Sequence, residues 1–364
     1  MTSLHFHPLR VRAVQPDTDD SVVVSFDVPD ALAETFRFEP GQYLTLRQDV
    51  AGQDLRRSYS ICAAAGQAPR VGVRRVPGGA FSSWLHAGLR PGDSIECLPP
   101  QGRFGHAAAA AAAPRHVLAI AGGSGITPIL SIVRTLLEKS PATRVTLLYG
   151  NRSQASTMFK EELEDLKNRH LSRLSLYPVF SREVVDAPAD SPLAAGRLDR
   201  ARIGLFLRTL VNPRSVEQAF VCGPHALNDE AEAALLDSGI DPARIHIERF
   251  GIPPEQRGAG DPHAAQAGDA DEARIVLVRD GLTREFGFAK GDPSILDAAA
   301  RAGLDVPYSC KSGVCATCRC KVLEGRVRMD RYFALEPDGV RAGFVLSCQA
   351  HPLTPRVVVS FDER

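Results

Sequence analysis

Four cysteines near the C-terminus have a spacing that suits a metal centre. They are Cys310, Cys315, Cys318 and Cys348, spaced C-x4-C-x2-C-x29-C. Two irons bridged by two sulfides need four thiolates to complete two tetrahedra. Three ligands can come from one short loop if its residues are small, because its backbone N–H groups must approach the sulfides closely. The spacing therefore predicts a [2Fe–2S] centre, which carries one electron at a time.

Two other uses of these cysteines fit the sequence less well. Structural zinc usually takes its ligands as two close pairs, whereas these four form a triplet and a distant single residue. Disulfides are disfavoured because the N-terminus lacks the apolar core of a secretion signal and cytosolic thiols stay reduced. Three further cysteines, Cys62, Cys97 and Cys320, lie in strand-like runs, so we expect them to be buried core thiols.

Two short motifs in the first third of the chain could bind phosphate. Residues 57–60 read Arg-Ser-Tyr-Ser at the start of a predicted strand, and residues 79–82 read Gly-Ala-Phe-Ser at the start of a predicted helix. A helix N-terminus offers free N–H groups and a positive dipole end to a pyrophosphate. Arg57 could add a charge-assisted hydrogen bond. Each motif alone is also typical of an ordinary strand or helix cap, so the pair carries the inference.

A glycine turn and a Cys-Gly-Pro motif indicate a second phosphate-binding region. Residues 121–128 read Ala-Gly-Gly-Ser-Gly-Ile-Thr-Pro between a predicted strand and a predicted helix. This is not a Gly-x-Gly-x-x-Gly fingerprint, but its glycines still allow the backbone to approach a pyrophosphate closely. Cys-Gly-Pro at residues 222–224 ends a later strand. Cofactors bind at the carboxyl ends of parallel strands, where both motifs are predicted to lie.

The type of nicotinamide nucleotide depends on the residues after the second and third strands of this region. An acidic residue after the second strand would favour a free ribose 2′-hydroxyl. Here Arg152 follows the second strand, and Ser181 with Arg182 follows the third. Arginine suits bidentate phosphate binding, which favours the 2′-phosphate of NADPH. The alternative is that both arginines are solvated loop residues.

The pattern of predicted elements divides the chain into three domains and a linker. Residues 1–113 contain six short strands and one helix, which predicts a small antiparallel barrel. They end in a histidine and seven alanines, interpreted as a connecting loop or helical turn. Residues 114–251 alternate strands and helices, as in a parallel α/β sheet. Residues 252–272 lack apolar periodicity and are predicted to be a flexible linker before the cysteine-containing domain, residues 273–364.

The composition excludes several classes of protein. Apolar residues make up 44% of the 364 residues, which supports buried cores and excludes a disordered chain. Lysine and arginine number 43 and so do aspartate and glutamate, and no basic run suggests a partner such as nucleic acid or anionic membrane. No apolar stretch could span a bilayer. We therefore expect a cytoplasmic protein.

These motifs together resemble a known family. The segment around the four cysteines is similar to plant-type ferredoxins, and the motifs at residues 57–60, 79–82, 121–128 and 222–224 resemble the flavin and nicotinamide domains of the ferredoxin–NADP reductase superfamily. The resemblance implies a Greek-key flavin barrel, an α/β nucleotide domain and an α+β ferredoxin domain of the β-grasp type. It also implies FAD in place of FMN.

The resemblance assigns a role to each motif residue. Tyr59 would lie against the isoalloxazine ring, Ser60 would bond its N5 edge, and Cys222 would lie beside the nicotinamide ring. The remaining residues implied for the flavin are Arg57, Ser58, Gly79, Phe81 and Ser82. Those implied for the nicotinamide nucleotide are Gly122, Gly123, Gly125, Thr127, Pro128, Arg152, Ser181, Arg182, Gly223 and Pro224.

The order flavin, nicotinamide, ferredoxin is shared by reductase components of bacterial oxygenases. In detail the chain is most similar to reductase subunits of the phenylacetyl-CoA ring epoxidase systems, on residues 75–82, 149–153 and 333–349. That resemblance implies a route from NADPH through FAD and [2Fe–2S] to a multisubunit di-iron oxygenase. The alternatives are a reductase of a Rieske-type steroid or aromatic-ring hydroxylase, a stand-alone flavin reductase that leaves the ferredoxin unused, and, in a different class, a redox-sensing regulatory module.

Overall fold

The computed structural model describes residues 4–109, 114–183, 196–253 and 263–363. The chain divides into two compact units. One unit comprises Phe6–Leu55 and Tyr59–Phe250, and the other comprises Gly251–Arg364 with two short stretches, Met1–His5 and Arg56–Ser58. Within the described ranges, no helix is both long and apolar enough to cross a membrane.

The N-terminal domain is a six-stranded antiparallel sheet, as the sequence predicts. Its neighbours run in the order β4-β3-β6-β1-β2-β5. The strands are β1 (His7–Thr18), β2 (Ser21–Asp27), β3 (Tyr43–Val50), β4 (Gln53–Ser60), β5 (Arg70–Arg74) and β6 (Ser94–Cys97). Alternate residues point inwards, so Leu9 and Val11 of β1 are buried in one core with Phe26 and Leu44.

One helix packs on this sheet at the predicted place. It is α1 (Ala80–Ala87), which buries Phe81 and Leu85, four residues apart and therefore on one face. Short 3-10 turns occur at Asp30–Leu32 and His106–Ala108. The second lies in the predicted histidine–alanine connection, whose residues 110–113 fall outside the described residues.

The next domain is a five-stranded parallel sheet with helices, which confirms the predicted α/β domain. The strand order is β11-β10-β7-β8-β9. The strands are β7 (His116–Gly122), β8 (Arg144–Asn151), β9 (Leu174–Phe180), β10 (Gln218–Gly223) and β11 (Ile245–Arg249). The helices are α2 (Ile126–Lys139), α3 (Lys160–Arg169), α4 (Arg200–Thr209) and α5 (His225–Asp237). Because β7 and β8 are interior strands of the sheet, most of their residues are buried.

The C-terminal unit is an α+β fold around a second five-stranded sheet. Its order is β13-β12-β18-β14-β16, with a separate pair formed by β15 and β17. The strands are β12 (Glu272–Arg279), β13 (Leu282–Ala289), β14 (Arg319–Glu324), β15 (Val327–Met329), β16 (Phe344–Leu346), β17 (Ala350–Pro352) and β18 (Arg356–Ser360). Two helices, α6 (Ile295–Arg301) and α7 (Pro337–Arg341), complete it. Ser294 caps α6 by accepting a hydrogen bond from the Asp297 N–H at 3.1 Å.

The predicted linker divides into two parts. Residues 254–262 fall outside the described residues. From His263 onwards the chain contacts the C-terminal unit, since Arg328 pairs with Asp269 and the Ala270 N–H donates to the Pro352 carbonyl at 3.0 Å. The described end of the linker is therefore bound to the fold that follows it.

Candidate functional site

The four predicted metal ligands converge in the C-terminal unit. Cys310 and Cys315 lie in the loop after α6, and Cys318 directly precedes β14. The distant Cys348 joins them because β14 pairs with β16 in a register that sets Arg319 opposite Leu346. The Ser347 N–H donates to the Cys318 carbonyl at 3.1 Å, which holds the two ends of the site together.

The backbone of the cysteine loop has an unusual conformation. Lys311, Gly313 and Ala316 all have positive φ, at 51°, 79° and 54°. Gly313 is required here, because a Cβ atom would lie 2.8 Å from the Arg331 carbonyl oxygen. Where residues of positive φ alternate with residues of negative φ, the backbone N–H groups point into the loop, as anion sites require. Accordingly, the Ser312 N–H approaches the Cys310 sulfur at 3.4 Å.

The thiols share protons with one another. A hydrogen bond from Cys315 lowers the pKa of Cys310 to about 5, and the same contact raises the pKa of Cys315. The contact with Cys348 raises the pKa of Cys318. Four such sulfurs, with backbone donors around them, fit a [2Fe–2S] cluster, whose positive irons would hold all four as thiolates. The other predicted core thiols are buried, and burial raises the pKa of Cys62 and Cys320 to about 12.

The aromatic and helix-start residues predicted for the flavin come together. Tyr59 at the end of β4 stacks on Phe81 of α1, with ring centroids 6.1 Å apart. Gly79 is the N-cap of α1, and the buried Ser82 hydroxyl accepts a hydrogen bond from the Val76 N–H at 3.0 Å. These contacts fix the start of α1 beside an aromatic surface, which suits a ring system that ends in phosphates.

Arg57 and Ser58, the first two residues of the Arg-Ser-Tyr-Ser motif, are more exposed than its last residue, Ser60. The Arg57 guanidinium is exposed and donates to the Arg56 carbonyl at 2.7 Å, and Ser58 is half-buried. The phosphate contact predicted for Arg57 stays a prediction.

Ser60, Cys222 and Glu248 meet at one point. Ser60 ends β4, and Cys222 near the end of β10 lies directly opposite Glu248 of β11. The Cys222 thiol lies 4.0 Å from a Glu248 carboxylate oxygen, and the Ser60 hydroxyl donates to the same carboxyl group. The predicted flavin residue and the predicted nicotinamide residue are therefore neighbours, as direct hydride transfer between two rings requires.

Glu248 is a residue that the sequence analysis missed. Burial raises its pKa to about 8, although the Ser60 hydrogen bond opposes the shift. Burial and the nearby Glu248 also raise the pKa of Cys222. The available signal was a carboxylate in the strand sequence Ile-His-Ile-Glu-Arg-Phe, whose ends are otherwise apolar. A protonated carboxyl group here can donate a hydrogen bond at neutral pH.

The glycine turn packs directly on the Cys-Gly-Pro motif. A Cβ atom on Gly125 would lie 2.1 Å from the Cys222 carbonyl oxygen, and one on Gly122 would lie 2.9 Å from the Pro224 ring. Gly123 has a φ of 53°, and its carbonyl accepts from the Tyr149 hydroxyl at 3.0 Å. These close approaches explain the glycines physically.

The residues after the turn begin α2. Thr127 and Pro128 lie in its first turn, and the Thr127 hydroxyl donates to the Ser124 carbonyl at 3.0 Å. The free N–H groups at this helix start lie next to Gly223, which suits the pyrophosphate of a dinucleotide.

The predicted 2′-phosphate residues also lie together. The Ser181 N–H donates to the Asn151 carbonyl and the Arg182 N–H to the Arg152 carbonyl, each at 2.9 Å, beyond the ends of β8 and β9. Ser181 and Arg182 are exposed. The exposed guanidinium of Arg182 is compatible with a phosphate contact, which stays a prediction.

Two acidic side chains near this surface were missed by the sequence analysis. An Asp20 oxygen lies 3.3 Å from the Arg152 guanidinium, and its other oxygen lies 3.1 Å from that of Arg74. Glu183 accepts from the Gln154 N–H at 2.6 Å. Asp20 lies in the turn between β1 and β2, far from Arg152 in sequence, so the sequence alone does not predict their contact.

Protein-family models match each of the three predicted domains. Residues 9–106 match the model of the oxidoreductase FAD-binding domain, 119–233 that of the oxidoreductase NAD-binding domain, and 277–353 that of the 2Fe-2S iron-sulfur cluster binding domain. Over 361 residues the chain is 44% identical to one of the subunits of 1,2-phenylacetyl-CoA epoxidase from Escherichia coli K12, covering 99% of this chain and 98% of that protein. The chain belongs to the family of flavin and iron–sulfur oxygenase reductases.

Other oxygenase reductases are similar over their full length. The ferredoxin reductase component of 3-ketosteroid-9-alpha-monooxygenase from Rhodococcus rhodochrous is 34% identical, covering 97% of this chain and 96% of that protein. The solved structure of phthalate dioxygenase reductase shares the fold, with a TM-score of 0.60 and 22% identity over 98% of both chains. The predicted family, three-domain fold, cofactor domains and oxidoreductase class are thus confirmed.

Proposed function

We propose that this oxygenase reductase passes electrons from NADPH through FAD and the [2Fe–2S] cluster to a multisubunit di-iron oxygenase that epoxidises phenylacetyl-CoA. The observation that carries the proposal is the meeting of Ser60, Cys222 and Glu248, which joins the flavin motif to the nicotinamide motif. FAD can accept a hydride and release electrons singly, and an iron–sulfur cluster carries one electron. Because nicotinamide nucleotides and CoA esters are used in the cytoplasm, the proposal places the protein there.

The side chains at the junction of the two motifs position the reactants. Tyr59, stacked on Phe81, supplies a flat face for the flavin ring. The Ser60 hydroxyl and the Glu248 carboxyl group, which are hydrogen-bonded to each other, are the polar groups that would hold the edge of the ring. Cys222 is uncharged, since burial raises the pKa of its thiol, and it leaves a compact apolar contact for the nicotinamide ring.

The preference for NADPH rests on the exposed pair Ser181 and Arg182. Arg182→Ala should lower kcat/KM for NADPH about tenfold and leave that for NADH nearly unchanged, because only NADPH has a 2′-phosphate for the guanidinium. Steady-state rates with a dye acceptor measure both. An equal loss with NADPH and NADH would contradict the assignment of Arg182.

The choice of acceptor is supported by the 44% identity to the epoxidase protein of Escherichia coli. The 34% identity to the ketosteroid monooxygenase reductase favours a Rieske-type oxygenase as the second candidate. Purified oxygenase components of each type, with NADPH and the substrate, separate the two by product formation. Product from the phenylacetyl-CoA system alone is expected. Product from the ketosteroid system alone would reverse the assignment, and dye reduction without product from either would disprove both acceptors.

A further inference from the structure

Three polar side chains far apart in sequence converge in the C-terminal unit, and none of them belongs to the predicted redox sites. His263 precedes β12, Asp330 follows β15, and His351 lies in β17. The pairing of β15 with β17 sets Arg328 opposite His351, and the Asp330 N–H donates to the Gln349 carbonyl at 3.0 Å. The strand pair therefore holds Asp330 beside His351, and the start of the unit brings His263 to them.

The three side chains point their ligand atoms at one another. Nδ1 of His263 lies 2.9 Å and Nε2 of His351 2.8 Å from the same Asp330 oxygen, Oδ2. All three atoms lie within 4.8 Å of one another. The Asp330 and His351 side chains are only 5% and 4% exposed, and that of His263 is 18% exposed. We propose that these residues form a binding site for a divalent transition-metal ion of the Zn²⁺ class.

The donor set suits such an ion. Two imidazole nitrogens and one carboxylate oxygen are borderline ligands typical of zinc sites that keep a fourth position for water. Neutral imidazoles can carry their proton on the other ring nitrogen, which frees Nδ1 of His263 and Nε2 of His351. Ligands about 2.1 Å from a tetrahedral zinc are about 3.4 Å apart, so the two nitrogens need to move about half an ångström from Asp330.

The surrounding charges favour a cation. Arg328 contacts the other Asp330 oxygen, Oδ1, and binds Asp269 through both its Nε and an Nη, the latter at 2.7 Å. The two carboxylates and one guanidinium leave one net negative charge next to the two histidines. Arg328 also fixes the Asp330 carboxylate so that Oδ2 faces the histidines, as outer hydrogen bonds do around metal ligands.

Zinc binding by the complete protein, loaded with FAD and iron and freed of any affinity tag, tests the proposal. Equilibrium dialysis with ZnCl₂ followed by metal analysis should give one zinc per chain without loss of iron. His263→Gln keeps a side chain that can hydrogen-bond Asp330 but removes a strong ligand. It should weaken zinc binding at least about tenfold. His5→Gln is the matched control, since His5 is an exposed histidine 3.5 Å from Asp280. It should bind zinc like the wild type.

X-ray absorption at the zinc edge identifies the ligands. Nitrogen and oxygen neighbours only, in a sample with full iron content, would support the site. Sulfur neighbours would place the ion at thiols and overturn the proposal. Equal affinity in wild type and His263→Gln, or no zinc retained by the wild type, would show a purely hydrogen-bonded cluster and also overturn it. Unchanged flavin and iron–sulfur absorbance in His263→Gln verifies its fold.

Discussion

At the scale of single residues, the environment of Glu248 raises the pKa of its carboxyl group. Its surroundings offer the Ser60 hydroxyl and the Cys222 thiol, and burial raises its pKa to about 8 from an ordinary 4.5. A neutral carboxyl group can donate a hydrogen bond where a carboxylate can only accept. The protein thereby avoids a buried charge at the meeting point of its two cofactor motifs.

The raised pKa of Glu248 makes stability depend on pH. Below pH 4.5 both the folded and unfolded states hold the proton, and the stabilising contribution is complete. As the pH rises towards 8, the unfolded state ionises first, so the free energy of unfolding falls. The denaturation midpoint, followed by the fluorescence of the single tryptophan, Trp84, should decrease between pH 4.5 and about pH 8 and level off above that. Glu248→Gln should reduce that decrease, and an equal decrease in both proteins would contradict the assignment.

Asp20 competes for the arginine predicted to bind the 2′-phosphate. Asp20→Asn should raise the ratio of kcat/KM for NADPH to that for NADH several-fold, because it frees Arg152 and removes a negative charge near the phosphate. Asp19→Asn is the control, since Asp19 is the exposed neighbour in the same turn. A ratio unchanged by Asp20→Asn, or raised equally by Asp19→Asn, would show that Asp20 has no influence on nucleotide choice.

At the scale of elements, strand ends and turns build both centres. The register of β14 on β16 brings Cys348 to the loop cysteines, and the glycine turn before α2 packs on the end of β10. The sequence predicted these elements because their patterns are local. It missed boundaries set by tertiary contacts. Helix α2 begins at Ile126, directly after the glycine turn, and α3 begins only at Lys160 because Phe159 has a φ of 56°.

The close packing of the glycine turn can be tested directly. Gly125→Ala should lower kcat/KM for NADPH at least about tenfold or destabilise the domain by about 1–3 kcal/mol, because the new methyl group would collide with the Cys222 carbonyl. Gly291→Ala, where the surroundings are open, is the control. Dye-reduction kinetics and a thermal melt provide both readouts. A Gly125→Ala protein with wild-type kinetics and melting would show that the turn is not tightly packed.

The four motif cysteines were predictable because ligand spacing is a local chemical signature. Glu248 and Asp20 were not, since each acts through a partner distant in sequence, Cys222 for one and Arg152 for the other. His263 was assigned to a structureless linker, because its contact with Asp330 depends on a fold that periodicity does not reveal. Residues whose proposed role depends on a partner distant in sequence can be identified only from the structure.

At the scale of the whole molecule, the two compact units hold different parts of the redox apparatus. The four cysteines predicted to bind the cluster lie in Gly251–Arg364, and Tyr59, Ser60 and Cys222, predicted to join flavin and nicotinamide, lie in the other unit. Each unit has its own hydrophobic core, so damage to one need not unfold the other.

Cys348→Ser should therefore abolish transfer to the oxygenase while preserving NADPH-dependent reduction of ferricyanide. Serine cannot replace the thiolate well, and Cys348 is absent from the flavin–nicotinamide junction. Cys320→Ala is the matched control, because Cys320 is a buried thiol predicted to bind no iron. Iron content and dye reduction distinguish the two proteins. Loss of iron in Cys320→Ala, or normal iron in Cys348→Ser, would show that the ligand set is wrong.

The most direct test of electron transfer is an anaerobic titration of the purified protein with NADPH, followed by visible absorption. Bleaching of the flavin band near ~450 nm and of the broader iron–sulfur absorbance, with about three electrons taken up per chain, is the expected result. A protein that bleaches only its flavin band despite full iron content would contradict a path from nucleotide to cluster. A colourless protein that contains zinc at the four cysteines would contradict the account as a whole.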